Sequence, residues 1–224
     1  MTRSEINKAI ASAISFFEDM KFSLPPWAYW SAATWKEQKE HCTEIFENQL
    51  GWDLTDFGSG SFSTTGLLLF TLRNGNPEKG LKSYAEKIMV VEENQLTPMH
   101  FHWSKMEDII NRGGGELMIH LYASTDREEL SNEGFDVSID GIMYTCAPGE
   151  VVVLRPGESI TLTPGLYHSF RGRPGKGKVL VGEVSAVNND HSDNRFHEKM
   201  GRFPEIEEDA ARTYLLVGDY VNIN

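Results

Sequence analysis

The pattern of apolar and polar residues predicts a helical start to the chain. Over residues 1–20, apolar side chains recur at helical spacing, and Thr2 and Glu5 are placed as a capping box. The prolines at 25–26 are expected to end this helix, since proline has no backbone N–H to continue it. A second helix is predicted over residues 34–48, where aromatic and aliphatic side chains stand out on a charged background.

From residue 51 onwards the pattern changes to short apolar or alternating runs separated by Gly, Pro, Asn and Asp. Such runs are typical of an antiparallel sandwich or barrel and not of βαβ units. No segment repeats, so one barrel is expected. We predict an all-β core in a single domain over residues 51–224, with residues 1–50 as a helical extension packed on it. The predicted strands cover residues 66–72, 84–91, 116–123, 135–139, 151–154, 159–163, 167–170 and 179–184.

Composition narrows the possible partners. The 224 residues are 40% hydrophobic and 24% charged, which is ordinary for a globular domain. The net charge of −12 and the absence of a basic cluster argue against a nucleic-acid partner. No apolar run reaches the length of a membrane span, and no signal peptide is apparent. We therefore expect no membrane association. Cys42 and Cys146 lie far apart, so we expect free thiols and a reducing, cytoplasmic location.

The most informative residues form a candidate metal site. His100 and His102 lie two positions apart, which puts both imidazoles on one face of a strand. Glu107 follows five residues later and can return to that face where the strand bends. His168 follows a Pro-Gly turn at 164–165, which is typical of a hairpin that points its imidazole into a barrel mouth. Imidazole and carboxylate ligands suit Mn(II), Fe(II), Zn(II), Co(II) or Ni(II), without selecting one of them.

These motifs resemble those of the cupin family. The two histidines, the glutamate and the glycines at 113–115 are similar to the first cupin motif, and residues 157–168 are similar to the second. The second motif differs in having Pro and Gly adjacent and in lacking the asparagine after the histidine. The resemblance implies a small antiparallel barrel or jelly roll with one metal ion. Its implied ligands are His100, His102, Glu107 and His168.

Four segments together resemble the D-lyxose isomerase family of cupins, over nearly the whole chain. The resemblance implies reversible conversion of D-lyxose to D-xylulose, with D-mannose to D-fructose as a further activity. It also implies a free sugar as substrate and Mn(II) as the usual metal. Because barrels of this type often dimerise, we expect a homodimer. The segments are residues 52–58, 66–75, 100–115 and 201–209.

The residues also suggest how such an isomerisation would proceed. A metal that holds both sugar oxygens stabilises a cis-enediol, while a carboxylate moves the proton between C1 and C2. Lys105 is predicted to assist proton exchange among the oxygens. Glu205, in an acidic segment expected to fold over the barrel mouth, is predicted as the base, with Glu183 as the competing candidate. Lys87, a cation inside an apolar strand, and Glu183 are predicted to contact the substrate.

Other interpretations remain open from the sequence. A metal-assisted hydride shift would need no carboxylate base. An Fe(II) dioxygenase would need an apolar pocket, and a non-catalytic sugar-binding module would not need a complete ligand set. A sugar-phosphate isomerase would need a phosphate cradle, for which residues 113–115 and 171–173 are candidates. His120 is equally compatible with core packing and with a supporting role, whereas His191 and His197 are expected in solvent.

Overall fold

The first helix forms where the sequence predicts it. In the computed structural model, which describes residues 1–76, 79–80, 82–187, 189, 192–201 and 203–223, helix α1 spans Arg3–Asp19. Thr2 and Glu5 make the predicted capping box. The proline pair does not end this helix. It ends earlier, beside Lys21, whose φ of 57° is left-handed, and Pro26 instead begins the 3₁₀ turn Pro26–Tyr29.

The second predicted helix is broken into two short ones. Helix α2 (Ala32–Gln38) and helix α3 (Thr43–Glu47) are separated by a 3₁₀ turn over Lys39–His41. They pack around Trp35, whose ring centroid lies 5.0 Å from that of Trp30 and 5.3 Å from that of Tyr220. The C-terminal part of the chain therefore packs against this helical region.

The rest of the described chain is built from strands in two antiparallel sheets. The eight-stranded sheet has the order β1-β2-β3-β12-β5-β10-β7-β8, and the five-stranded sheet has the order β13-β4-β11-β6-β9. The strands are β1 (Gly51–Thr55), β2 (Leu67–Arg73), β3 (Tyr84–Val91), β4 (Thr97–Phe101), β5 (Glu107–Gly114), β6 (Leu117–Ala123), β7 (Phe135–Ile139), β8 (Ile142–Cys146), β9 (Glu150–Leu154), β10 (Ser159–Leu162), β11 (Leu166–Gly172), β12 (Val179–Ala186) and β13 (Arg195–Phe196).

The two sheets enclose the main apolar core. Ile109 and Val181 from the larger sheet pack in one buried cluster with Ile119 and Phe170 from the smaller sheet. This arrangement confirms the predicted all-β core of the jelly-roll type with helices at its N-terminal end. Within the described ranges, no helix is long and apolar enough to cross a membrane.

Helix α1 covers the outer face of the larger sheet. Ile10 and Phe17 share a buried cluster with Trp52 and Phe70, and the Phe17 and Trp52 rings stack at 6.1 Å between centroids. Burying each such side chain contributes roughly 1.5–3 kcal/mol. Helix α1 therefore covers the part of the outer face formed by β1, β2, β3 and β12. The shared cluster supports our proposal that residues 1–50 extend a single domain.

Five strands lie outside the predicted ranges: β1, β4, β5, β8 and β13. Strand β4 ends within the histidine motif, which the sequence already places on a strand, and β5 begins at Glu107. Strand β8 has no alternating pattern, because Ile142, Met143 and Tyr144 are all exposed on an edge strand. Its sequence therefore lacks the signal of a half-buried strand.

Candidate metal centre

Three histidines meet between the sheets. His100 on β4 pairs directly with His168 on the neighbouring strand β11, and His102 follows the end of β4. The three side chains are buried, and one ring nitrogen from each lies within 4.8 Å of the other two. The spacing of the first two residues and the turn before the third thus bring the three imidazoles together.

Hydrogen bonding fixes the protonation of these rings. Each Nδ1 lies against a backbone carbonyl oxygen: His100 at 2.8 Å from that of Pro98, His168 at 3.0 Å from that of Leu166, and His102 at 2.6 Å from that of Asp193. Because a carbonyl only accepts, each Nδ1 carries a proton, and each Nε2 is the ring nitrogen left to bind a ligand. The Nε2 of His168 is buried, with no hydrogen-bond partner in the described part of the chain. Three converging Nε2 atoms of this kind fit a divalent cation.

Glu107 supplies a carboxylate beside the histidines. Its Oε1 lies 3.2 Å from Nε2 of His168 and 3.6 Å from Nε2 of His102. Burial would raise the pKa of Glu107, but Lys105 and His102 together hold that pKa well below its usual range. Burial, with the neighbouring His168 and His102, lowers the pKa of His100 well below its usual value. The group therefore offers an anionic oxygen from Glu107 beside a neutral imidazole from His100.

A second carboxylate lies across the cavity wall. Glu183 stands in the middle of the larger sheet, on β12, directly opposite Lys87 on β3. Its Oε1 lies 3.0 Å from Nζ of Lys105, 3.2 Å from Nζ of Lys87 and 3.2 Å from Oγ of Ser185. Lys105 in turn lies 2.6 Å from Oε2 of Glu107. All four ionisable side chains are buried, so two cations and two anions alternate along one wall.

The lysines decide the charge of Glu183. Burial would raise the pKa of Glu183, and Glu107 acts in the same direction, but Lys105 and Lys87 bring it below its usual value. A carboxylate that is ionised, buried and held on one oxygen is able to accept a proton at the other. That other oxygen, Oε2, lies 3.5 Å from Nζ of Lys87.

These groups open into a cavity that is lined by both polar and apolar side chains. The cavity measures about 710 Å³, including solvent at its mouth. Its polar lining includes His100, His102, Lys105, Glu107, Lys87, Glu183, Thr97, Asp53, Thr55 and Asn194. Its apolar lining is Leu54, Phe57, Leu67, Leu69, Met89, Ile109, Phe170, Phe196 and Phe203. Such a mixed surface suits a polyol, whose hydroxyls and C–H groups need different partners.

The profile of the D-lyxose isomerase family matches residues 1–220. The chain belongs to this family. A D-lyxose/D-mannose isomerase of Serratia proteamaculans is 48% identical over 224 residues, covering 99% of this chain and 98% of that protein. The D-lyxose/D-mannose isomerase of Escherichia coli O157:H7 is 46% identical over 98% of both chains. The D-lyxose ketol-isomerase of Cohnella laeviribosi is 30% identical over 78% of this chain and 97% of its own length.

Solved structures of more distant proteins share the fold. The L-ribose isomerase of Cellulomonas parahominis without ligand has a TM-score of 0.61 and 15% identity, over 92% of this chain and 98% of that chain. The L-ribose isomerase of Geodermatophilus obscurus has a TM-score of 0.58 and 17% identity, over 88% and 92%. At these identities the likeness concerns the arrangement of helices and strands.

Glu205 lies apart from the other candidate residues of this family member. Its side chain is exposed and does not line the cavity. Its backbone carbonyl accepts a hydrogen bond from the N-terminal ammonium of Met1 at 3.0 Å. The acidic segment does reach the cavity, but through Phe203 and not through a carboxylate. The sequence showed the acidic residues without showing which way they face.

Asp193 is a supporting residue that the sequence did not reveal. Its carboxylate accepts hydrogen bonds from the Ser104 N–H at 2.9 Å, the Ser104 hydroxyl at 3.0 Å and the Lys105 N–H at 2.9 Å. Its backbone carbonyl accepts from His102. One residue therefore holds the whole segment that joins β4 to β5. Its partners are about ninety positions away in the chain, so no local motif could indicate it.

His120 and His197 lie outside the metal group. His120 packs its ring 5.1 Å from that of Tyr122 and does not line the cavity. His197 is half-buried against the ring of Tyr167 at 5.8 Å, contrary to its expected position in solvent. His191 lies outside the described residues.

The glycines of the metal motif serve packing at the far end of β5. A Cβ on Gly114 would lie 2.4 Å from the carbonyl oxygen of Lys178, and one on Gly115 would lie 2.4 Å from that of Gly177. Residues 113–115 do not line the cavity. Their close backbone contacts account for these glycines without a phosphate ligand.

Proposed function

We propose that this chain is a metal-dependent aldose–ketose isomerase that interconverts D-lyxose with D-xylulose and D-mannose with D-fructose. The observation that carries the proposal is the convergence of three imidazole lone pairs and one ionised carboxylate at a cavity with a second ionised carboxylate. The names of the relatives at 48% and 46% identity support the choice of sugars. A free sugar is favoured over a sugar phosphate, because the glycines at 113–115 lie outside the cavity.

The metal would be held by His100, His102, Glu107 and His168. When bound, a divalent ion supplies a Lewis acid that polarises the oxygens on C1 and C2 of the sugar. We propose Mn(II) as the native ion, with Co, Zn, Fe or Ni as alternatives that the same donor set accepts. Metal analysis of purified protein by mass spectrometry tests this choice. A stoichiometric metal other than manganese would contradict it.

We assign the role of base to Glu183 and not to Glu205. Glu183 is buried, lines the cavity and is kept ionised by two lysines. It would take the proton from C2 of the aldose and return it to C1 of the resulting cis-enediol, which gives the ketose. Lys87 and Lys105 both donate to Oε1, so we assign the proton transfer to Oε2.

The two lysines have different tasks in this scheme. Lys105 lies between Glu183 and Glu107, at 3.0 Å and 2.6 Å, and therefore faces both the base and the metal side of the cavity. It would donate hydrogen bonds to the sugar oxygens while a proton moves between O1 and O2. Lys87 holds Glu183 from the opposite strand and keeps its carboxylate turned towards the substrate.

A matched pair of variants tests the assignment of the base. Glu183→Gln is expected to bind metal normally and to lose turnover by about 10²- to 10⁴-fold, the usual contribution of a general base. Glu205→Gln makes the same chemical change on the exposed segment and is expected to stay close to wild-type activity. Normal turnover by Glu183→Gln, or loss of activity in Glu205→Gln alone, would contradict the assignment.

The proton route itself is tested in deuterated solvent. Transfer through Glu183 is expected to place deuterium at C1 of the ketose, because the carboxyl proton exchanges with solvent during the reaction. NMR of the product measures this label directly. Product formed without any label would favour a hydride shift between C2 and C1.

Two further proposals concern the state of the protein in the cell. A homodimer is supported by the exposed edge strand β8, where Ile142 and Met143 are 58% and 65% exposed. Light scattering on the purified protein should give twice the monomer mass of 25.3 kDa.

A cytoplasmic location is supported by Cys42 and Cys146, which are buried free thiols. Cell fractionation tests it.

A further inference from the structure

Thr97 carries an unpaired hydroxyl in the wall of the metal cavity. Its side chain is 3% exposed, and its Oγ1 is buried with no hydrogen-bond partner among the described residues. Only two other buried side-chain atoms in the described part of the chain share this condition, Nε2 of His168 and Nδ1 of His197. For His168 a metal ion accounts for it. Thr97 also lines the cavity, so a molecule in the cavity is the natural partner of its hydroxyl.

A β-bulge turns Thr97 towards the cavity. Strand β4 pairs with β11 so that His100 faces His168, and a regular ladder would then place Pro98 opposite Phe170. The structure instead places Thr97 opposite Phe170, so β4 contains one extra residue at this point. A bulge of this kind redirects the side chains on either side of it. It puts Thr97 on the same side of the strand as His100, although the two residues are three positions apart.

The surroundings of Thr97 make its hydroxyl unnecessary for packing. Its cross-strand neighbour Phe170 is apolar and lines the same cavity. Valine has nearly the same shape as threonine and would fill the position without burying an unpaired polar group. An unpaired hydroxyl at this point costs stability, and binding of a polar ligand would offset that cost.

We propose that Oγ1 of Thr97 hydrogen-bonds a hydroxyl group of the sugar at the end remote from C1 and C2. The inference rests on the proposed function, in which the metal group holds C1 and C2. Thr97 and His100 are three positions apart on the strand, a distance of about 10 Å or less. An open-chain pentose bound near His100 can span much of this distance, which brings O4 or O5 to the threonine. Thr97 thus selects sugars by the hydroxyl they carry at that end.

Two variants and two substrate analogues test this role. Thr97→Val removes the hydroxyl and keeps the shape, and Thr97→Ser keeps the hydroxyl. For D-lyxose, the valine variant is expected to lower kcat/KM by about 3- to 10-fold, mainly through KM, as for the loss of one hydrogen bond. The serine variant is expected to stay within about twofold of wild type. Metal affinity should be unchanged in both.

Deoxy sugars identify the hydroxyl that Thr97 contacts. Wild-type protein is expected to use either 4-deoxy- or 5-deoxy-D-lyxose less well than D-lyxose, whereas Thr97→Val should lose that discrimination for the same analogue. The analogues and D-lyxose differ in their proportions of ring and open-chain forms. This difference affects wild type and Thr97→Val equally, because both are assayed with the same sugar solutions. The analogue against which only the wild type discriminates identifies the hydroxyl that Thr97 contacts. Either analogue with this behaviour supports the proposal.

Stability separates a binding role from a structural one. Because the valine variant removes a buried unpaired hydroxyl, its melting temperature is expected to equal or exceed that of wild type. A lower melting temperature for valine but not for serine would show a structural hydroxyl and overturn the proposal. Unchanged kcat/KM in an active valine variant would overturn it as well. A wild-type protein inactive on every free sugar would instead overturn the proposed function.

Discussion

Asp193→Asn should weaken metal binding although Asp193 is not a ligand. In the native protein, Oδ1 accepts both hydrogen bonds from Ser104, and Oδ2 accepts the N–H of Lys105. Asparagine keeps one oxygen and replaces the other with an NH₂ group. The buried N–H of Lys105 would then face a donor instead of an acceptor.

The expected loss follows from that single unsatisfied group. Leaving a buried donor without an acceptor costs about 1–3 kcal/mol, which corresponds to about 5- to 140-fold in an equilibrium constant. The affected segment carries His102 at one end and Lys105 at the other. Since metal binding must restore the order of this segment, we expect metal affinity to fall by about 10- to 100-fold, the usual effect of losing such a supporting group.

Calorimetric titration of chelator-stripped protein with Mn(II) measures this affinity. The matched control is Asp209→Asn, because the carboxylate of Asp209 also accepts from a serine N–H and hydroxyl, those of Ser4, but on the protein surface. The control should bind Mn(II) as wild type does. Equal affinity for Asp193→Asn and wild type would refute the supporting role of this carboxylate.

Two further predictions concern stability. Hydrogen bonds from Arg3 and then Arg212 lower the pKa of Glu208 to about 2. The ionised carboxylate therefore stabilises the fold fully at pH values above its ordinary pKa, and this stabilisation is lost progressively as the pH falls towards 2. Glu208→Gln should therefore melt lower than wild type at pH 7, and the difference should shrink at pH 3; a constant difference would contradict the reasoning. Gly114→Ala should cost more unfolding free energy than Gly141→Ala in denaturant titrations, because both glycines have positive φ but only the Cβ at Gly114 meets backbone. Equal losses would show that the contact with Lys178 relaxes freely.

The proposed metal ligands are the part of the site that local sequence indicates best. The i, i+2 spacing of His100 and His102 requires only a strand, and the turn before His168 requires only a hairpin. Lys87 is also indicated by the local sequence, because a cation inside an apolar strand needs a partner. Its pairing with Glu183 depends on the register between β3 and β12, which joins residues 96 positions apart. No local pattern contains that information.

The features that the sequence does not indicate share a physical origin. The exposed position of Glu205, whose backbone carbonyl binds the amino terminus, and the contribution of Asp193 both depend on contacts between distant segments. The second helix is interrupted by the 3₁₀ turn Lys39–His41, and strand β8 has no alternating pattern because most of it is exposed. The bulge beside Thr97 is likewise visible only once β4 is paired with β11.

The most direct test of the central claim is the rate of D-xylulose formation from D-lyxose by chelator-stripped protein, before and after Mn(II) is added. The stripped protein is expected to show negligible conversion and to recover activity when about one equivalent of metal per chain is bound. Full activity in the stripped protein, or no conversion of D-lyxose with any of the divalent metals, would contradict it.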